Sequence, residues 1–158
     1  MIPSRLMPIR IEENAALRIH LITFYGKVID AELRQLAALH EERRDWAAMD
    51  TVHRILAEAD FSAVALSDLD WLRQHYRLLH QSMNLHLLRR AIWLCENPVV
   101  MDLVAYWTQG RHTRDGQQTE VRAASSFAEF DDLFDGDEVD AVQTGSGFVA
   151  VREIALKA

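Results

Sequence analysis

The chain has 158 residues, of which 49% are hydrophobic and 26% charged, and its formal net charge is -7. A chain of this length and apolar content can bury a core of its own, which argues against intrinsic disorder. The excess of acids argues against a general nucleic-acid binder, because neutralising phosphate groups requires a basic surface.

Cysteine usage and sorting patterns predict a cytoplasmic protein. Cys95 is the only cysteine, so no disulfide can form within the chain, as is typical of reducing compartments. The first residues lack the apolar core of about 7 to 15 residues that defines a secretory signal, and no run approaches the roughly 18 apolar residues of a membrane helix. We therefore expect no membrane span and no nucleic-acid partner.

The chain begins with two predicted strands and a helix. Residues 7–12 and 17–29 are rich in branched and aromatic side chains, as strands are, and Asn14 starts the segment between them where a hairpin turn would fall. Asp30 is predicted to cap a helix over residues 31–44, because an acidic side chain can accept hydrogen bonds from the free amides of a first helical turn.

The middle of the chain continues the alternation. Residues 51–59 contain a run of branched residues long enough for a third strand. A second helix is predicted over residues 67–81, because apolar residues from Leu69 to Leu79 recur at spacings of three and four. Ser67 is predicted to cap that helix.

Two further pairs of strand and helix follow. Residues 91–95 are predicted to form a buried strand, and Asn97 is predicted to cap a helix over residues 98–109 that has proline at its first position. A strand over residues 119–124 and a last helix over residues 126–135 complete the series. The order ββαβαβαβα is α/β, and it implies a mixed sheet of about five strands with about four helices packed against it.

The end of the chain departs from this alternation. Residues 1–135 are expected to form a single domain, and residues 136–158 a C-terminal extension that starts with an acidic connector. The apolar part of the extension is compatible with a hairpin, a strand or a helix. Because those apolar residues need to be buried, we expect them to pack on the parent sheet or on a second subunit, in which case the protein is a homodimer.

Four segments that join a strand to a following helix carry a resemblance to a known family. They are LITFYGKVIDAEL, RILAEADFSAVALSDLDWL, RRAIWLCENPVVMDLVAYW and VRAASSFAEFDDLF. From about residue 9 to residue 134 the chain resembles STAS-like domains, the group that includes anti-sigma-factor antagonists, and especially small bacterial proteins related to both STAS and CRAL-TRIO lipid-binding domains. The resemblance implies a STAS-like α/β sandwich and a non-enzymatic regulatory domain that binds a protein partner.

The resemblance also draws attention to the start of the second predicted helix. In STAS antagonists this point presents a phosphorylatable serine or threonine to a partner kinase, and Ser67 is the only hydroxyl residue in the corresponding stretch here. A phosphate at a helix N-terminus is stabilised by free amides, but Asp68 and Asp70 would repel it. Two interpretations of Ser67 are therefore open, a plain helix cap and a phosphorylation switch.

The rest of this helix offers a surface for a partner. Arg73 and Arg77 would either receive an anionic group or pair with Asp70 within the helix. Trp71 lies off the apolar stripe, so it either widens the buried face or marks a contact surface. The candidate regulatory or partner surface comprises Ser67, Asp68, Asp70, Trp71, Arg73 and Arg77.

No pattern for catalysis, a cofactor or a metal stands out. His75, His80 and His86 are spaced by five and six residues, whereas two ligands on one helical face need a spacing near four. The acidic residues between 131 and 140 lack the order of a calcium-binding loop. We therefore predict no enzymatic activity, no cofactor and no metal.

A second hypothesis belongs to a different functional class. Relatives of the CRAL-TRIO type bind lipids, and the chain has aromatic residues that would line an apolar pocket, namely Trp93, Tyr106 and Trp107. The alternative function is therefore a small-molecule or lipid-binding protein.

Overall fold

We describe residues 8–83, 89–108 and 119–155 of the chain from a computed structural model of the protein. These residues form six β-strands, four α-helices and two short 3-10 helices. The strands are β1 (Ile9–Asn14), β2 (Ile19–Phe24), β3 (Asp50–Ile55), β4 (Arg89–Cys95), β5 (Thr119–Ala124) and β6 (Val149–Ile154). The helices are α1 (Asp30–Glu42), α2 (Leu66–Met83), α3 (Pro98–Thr108) and α4 (Gly136–Thr144), and the 3-10 helices are Arg44–Ala48 and Phe127–Phe130. The predicted α/β class is confirmed.

The strands form one mixed sheet in the order β5-β4-β3-β2-β1-β6. The four strands from β2 to β5 run parallel, and β1 is antiparallel to both of its neighbours, β2 and β6. All six residues of β2 are buried, as expected for a central strand covered on both faces. The sheet has one strand more than predicted, because the C-terminal extension adds β6 to the parent sheet.

Helices cover both faces of the sheet. The crossovers through α1, α2 and α3 join neighbouring parallel strands in one direction, so right-handed connections place these three helices on the same face. The chain then returns across the sheet from β5 to β6, and the same rule places α4 on the opposite face. The side chains of β2 alternate accordingly: Ile22 and Phe24 join the core under α1 to α3, while Ile19 and Leu21 join the core under α4.

Two predicted helix caps are wrong, and both are replaced by the same arrangement. Asp30 is the first residue of α1, and it is the Glu32 carboxylate that accepts a hydrogen bond from the amide of Ile29, at 2.9 Å. Ser67 is the second residue of α2, and Asp68 accepts from the amide of Ala65 at 2.8 Å. In each case the carboxylate belongs to the residue three positions after the amide from which it accepts, as in a capping box.

The predicted start of α3 is confirmed. The Asn97 side chain accepts a hydrogen bond from the amide of Val99 at 3.0 Å, and Pro98 is the first helical residue. The amide group of the same Asn97 side chain donates to the carbonyl of Ala59 at 2.7 Å, which ties the cap to the loop after β3.

The predicted helix over residues 126–135 is wrong. Ser126 opens only the second 3-10 helix, with its hydroxyl oxygen accepting from the amide of Ala128 at 3.3 Å. The α-helix of this region is α4, which lies in the segment predicted to be a connector. It begins with a reciprocal capping box: Asp135 accepts from the amide of Glu138 at 2.8 Å, and Glu138 accepts from the amide of Asp135 at 3.0 Å.

An ionic cluster fixes α4 to the sheet. The guanidinium of Arg90 on β4 lies 2.6 Å from a carboxylate oxygen of Asp50 on β3 and 2.7 Å from one of Glu138 on α4. It also lies over the ring of Phe134, 4.2 Å from the centroid. The hydrogen bond between Arg90 and Glu138 raises the pKa of Arg90 and lowers the pKa of Glu138. Arg90 is therefore held by internal carboxylates on the face opposite α1 to α3.

Candidate functional site

The candidate surface lies where α1 and α2 run side by side. Three contacts join the helices: Arg34 to Trp71, His40 to Tyr76, and Glu41 to His75. Arg34, early in α1, contacts Trp71, whereas His40 near the end of α1 contacts the later residue Tyr76, so α1 and α2 are parallel. Each α1 residue therefore lies level with the α2 residue about 36 positions later.

Trp71 is exposed and yet held in place from α1 and from its own helix. Its side chain retains 42% of its accessible surface. The Arg34 guanidinium lies over the indole, 3.8 Å from the ring centroid, and is itself bound to Asp30 at 2.8 Å. The His75 ring stacks beside the indole at 5.2 Å with an interplanar angle of 14°, and its Nε2 lies 3.8 Å from a carboxylate oxygen of Glu41. The indole is therefore presented to solvent in a restricted orientation.

Trp71 belongs to a larger exposed area that we call the outer face of α2. Ser67 precedes it by one turn, Gln74 follows by one turn, and Leu78 follows by two turns, and all four residues are exposed. Leu78 keeps 53% of its surface, although its neighbour Leu79 is buried in the core. The outer face of α2 comprises Ser67, Asp70, Trp71, Gln74, Arg77 and Leu78.

The two arginines of the predicted surface have different positions. Arg73 points away from the outer face toward α3, where its guanidinium donates to the main-chain carbonyls of Tyr106 and Trp107, the latter at 3.1 Å. Cations are favoured at this C-terminal end of a helix, where carbonyl groups lack partners within the helix. Arg77 stays at the edge of the outer face and donates to the side chain of Gln74 at 2.7 Å.

The predicted pairing of Asp70 with arginine is weak. Its carboxylate lies 4.0 Å from Arg73, and it accepts a much shorter hydrogen bond, of 2.5 Å, from the hydroxyl of Tyr106. That bond raises the pKa of Tyr106, because it favours the protonated hydroxyl. Asp68 serves the start of α2, as described above. The structure thus leaves Ser67, Asp70, Trp71 and Arg77 on the outer face and assigns Asp68 and Arg73 to internal contacts.

The aromatic residues of the predicted pocket are divided between two sides of α3. Trp107 faces Trp93 on the sheet, and Tyr106 faces α2. Trp93 packs edge-on against Trp107, with 6.4 Å between ring centroids, and stacks on His53 at 3.7 Å with an interplanar angle of 3°. Tyr106 instead faces α2 through its hydroxyl. Trp93 and His53 lie on the central strands β4 and β3, and both remain partly exposed.

Other chemistry receives no support in the described part of the chain. No group of three or more histidine, cysteine, aspartate or glutamate side chains there is arranged to hold a metal ion, and His86 lies outside the described residues. Cys95 is buried, and burial raises the pKa of its thiol, which keeps it protonated at neutral pH. No helix among the described residues is long and apolar enough to cross a lipid bilayer.

Comparison with protein-family models, curated proteins and solved structures finds no match for this chain. Sequence reasoning placed Trp71 on the candidate surface but missed Arg34, Gln74 and Leu78. Leu78 carried a usable signal, because it follows Trp71 by seven residues and so lies on the same side of the helix. Arg34 carried none, since its contact with Trp71 depends on how two helices pack.

Proposed function

We propose that the protein is a non-enzymatic regulatory domain of STAS-like type, cytoplasmic and bacterial, that binds a protein partner through the outer face of α2. The observation that carries the proposal is the exposed indole of Trp71, held between side chains of α1 and α2. Large aromatic side chains dominate the binding energy of many interfaces. A side chain whose orientation is restricted before binding loses less conformational entropy when a partner arrives.

The neighbours of Trp71 support the same function. Leu78, two turns later, adds an apolar contact of similar exposure, and polar residues surround the pair. A small apolar centre with a polar rim is the usual composition of a protein interface. Ser67 lies one turn before Trp71 on the same side, and it does not cap the helix. Phosphorylation of Ser67 would add about two negative charges beside Asp68 and Asp70, which would change binding at Trp71.

A crosslinking experiment tests the proposal. A photoreactive residue placed at Gln74 should crosslink a protein in the source cells, and the purified protein should bind the wild-type chain directly. Trp71→Ala should weaken that binding at least tenfold, because Trp71 is the predicted anchor. Val99→Ala is the matched control, since Val99 is 83% exposed on α3 and should leave binding unchanged. Binding that is indifferent to Trp71 would overturn the proposal.

A second candidate function is small-molecule or lipid binding, and the stacked pair of His53 and Trp93 favours it. Both side chains lie on central strands beneath the helical layer, where full burial is usual, and both are partly exposed. Partly exposed aromatic surface between a sheet and its helices suits an apolar ligand. Native mass spectrometry of the protein purified from its own cells should then show a bound ligand that Trp93→Leu releases. A ligand-free wild-type protein would exclude this candidate.

A further inference from the structure

The outer face of α2 has two rows of complementary residues. The row next to α1 contains Trp71 and Leu78, and the row next to α3 contains Asp70 and Arg77. The members of each row are seven residues apart, which is two helical turns or about 10 Å, so they do not touch within one chain. Trp71 and Leu78 are both exposed, and Asp70 and Arg77 carry opposite charges.

This arrangement is complementary to itself under a two-fold axis. Consider two copies of α2 packed face to face and antiparallel, with the axis level with Gln74 and His75. The operation reverses the helix direction but keeps each row on its own side. Trp71 then packs on Leu78 of the second copy, and Asp70 meets Arg77 of the second copy, each contact occurring twice.

The neighbouring helix obeys the same symmetry. Because α1 residues lie level with α2 residues about 36 positions later, the axis passes close to Ala38. Ala38 is small and exposed, so two copies of α1 can approach each other there. The axis also brings Arg34 level with Glu42 of the second copy, which adds a second pair of opposite charges on each side. A parallel packing of the two copies would instead set each row against the other, with Asp70 opposite Trp71 and Arg77 opposite Leu78.

We propose that the outer face of α2 binds a second copy of this chain, forming a symmetric dimer with antiparallel α2 helices. The proposal rests on the proposed function, since it names the partner of the same surface. α2 has 18 residues and is therefore about 27 Å long, enough for a contact of several turns on each side of the axis. Because the proposed contact is confined to the exposed sides of two helices, we expect a dimer that dissociates on dilution.

Charge exchange tests the pairing of Asp70 with Arg77. Analytical ultracentrifugation should show a concentration-dependent dimer of the wild-type chain. Asp70→Arg and Arg77→Asp should each weaken it at least tenfold, because each places like charges opposite one another. The double variant should restore the dissociation constant to within about threefold of the wild-type value. Asp70→Arg and the double variant both lose the hydrogen bond from Tyr106 to Asp70. Recovery of dimer affinity in the double variant alone is therefore explained only by a contact between the two chains.

Cysteine crosslinking tests the position of the axis. Two copies of Gln74→Cys lie next to each other in the proposed dimer and should form a disulfide under mild oxidation. Gln81→Cys is the matched control, because residue 81 is also exposed but would lie about 20 Å from its counterpart. A disulfide at position 81 as efficient as that at position 74 would contradict the antiparallel arrangement.

The outcomes separate this inference from the proposed function. A wild-type chain that stays monomeric up to about 1 mM overturns the inference. So does a dimer that ignores the charge exchange but dissociates with Val149→Arg on β6. In either case, Trp71-dependent binding of a different protein would leave the proposed function standing. A monomer that also shows no Trp71-dependent partner would remove both.

Discussion

The guanidinium of Arg34 lies 3.8 Å from the centroid of the Trp71 indole, and this contact joins α1 to an exposed aromatic side chain of α2. Arg34 is positioned in turn by Asp30, one turn earlier in α1, at 2.8 Å. The contact therefore connects the start of α1, through a charge and an aromatic face, to the surface proposed to bind a partner.

Removing this cation should free the indole. We expect Arg34→Ala to lower the free energy of unfolding by about 1 kcal/mol, the sum of an exposed cation–π contact and a pair between residues one helical turn apart. The indole N–H resonance of Trp71, assigned by its loss in Trp71→Phe, should shift and its side chain should become more mobile. Arg44→Ala removes an exposed arginine from the first 3-10 helix and serves as the control. An unchanged Trp71 resonance in Arg34→Ala would contradict the contact.

The start of α2 gives a prediction about Ser67. Because Asp68 rather than Ser67 accepts the hydrogen bond from Ala65, we expect Ser67→Ala to change the free energy of unfolding by less than about 0.5 kcal/mol. Asp68→Ala should cost about 1 kcal/mol, the usual value of a lost carboxylate at a helix start. Urea denaturation of the two variants decides the matter. A larger loss in Ser67→Ala than in Asp68→Ala would restore Ser67 as the cap.

Predictions from local patterns succeeded where the residues that form the pattern also make the contact. Asn97 and Pro98 lie next to the amides that they serve, so the start of α3 could be read from three residues. The helical spacing that starts at Leu69 likewise placed α2, since it records burial against one sheet. The predicted bounds, 67–81, fall one residue short at the start and two at the end, and the cap was assigned to Ser67 because serine and aspartate compete for the same capping role.

The errors have two sources, weak local patterns and contacts between distant parts of the chain. α4 was missed because its apolar side is narrow, with Ala141 and Val142 as its buried residues, and acids dominate the segment. The spacing of Asp135 and Glu138 would have indicated it. Arg73 was assigned to a partner surface, whereas the structure turns it to the carbonyl groups of α3. That choice depends on the position of α3, on which the sequence of α2 carries no information.

The clamp formed by Arg73 should stabilise the packing of α2 on α3. We expect Arg73→Met, which keeps the length of the side chain, to cost about 1 to 3 kcal/mol, because it removes charged hydrogen bonds to two carbonyls from a side chain that is 15% exposed. Amide hydrogen exchange should accelerate in the last turn of α3. Gln74→Met, one residue further along α2 and exposed, is the control. Equal stability of the two variants would show that Arg73 makes no net contribution.

The cluster around Arg90 should make the stability of the protein depend on pH in the acid range. The bond from Arg90 lowers the pKa of Glu138 below its usual value of 4.5, so the folded protein binds a proton there less readily than the unfolded chain. The stabilisation is therefore complete above pH 4.5 and is lost as the pH falls through the folded-state pKa. Glu138→Gln should reduce this loss between about pH 5 and pH 3. Arg90→Met should cost about 1.5 to 3 kcal/mol at neutral pH, because it removes the charged hydrogen bonds to Asp50 and Glu138 in a partly buried site. Arg122→Met removes a more exposed arginine, paired with Asp132, and should cost less than about 1 kcal/mol. Thermal unfolding of the three variants across this pH range provides the measurement, and a wild-type pH profile shared by Glu138→Gln would contradict the role of Glu138.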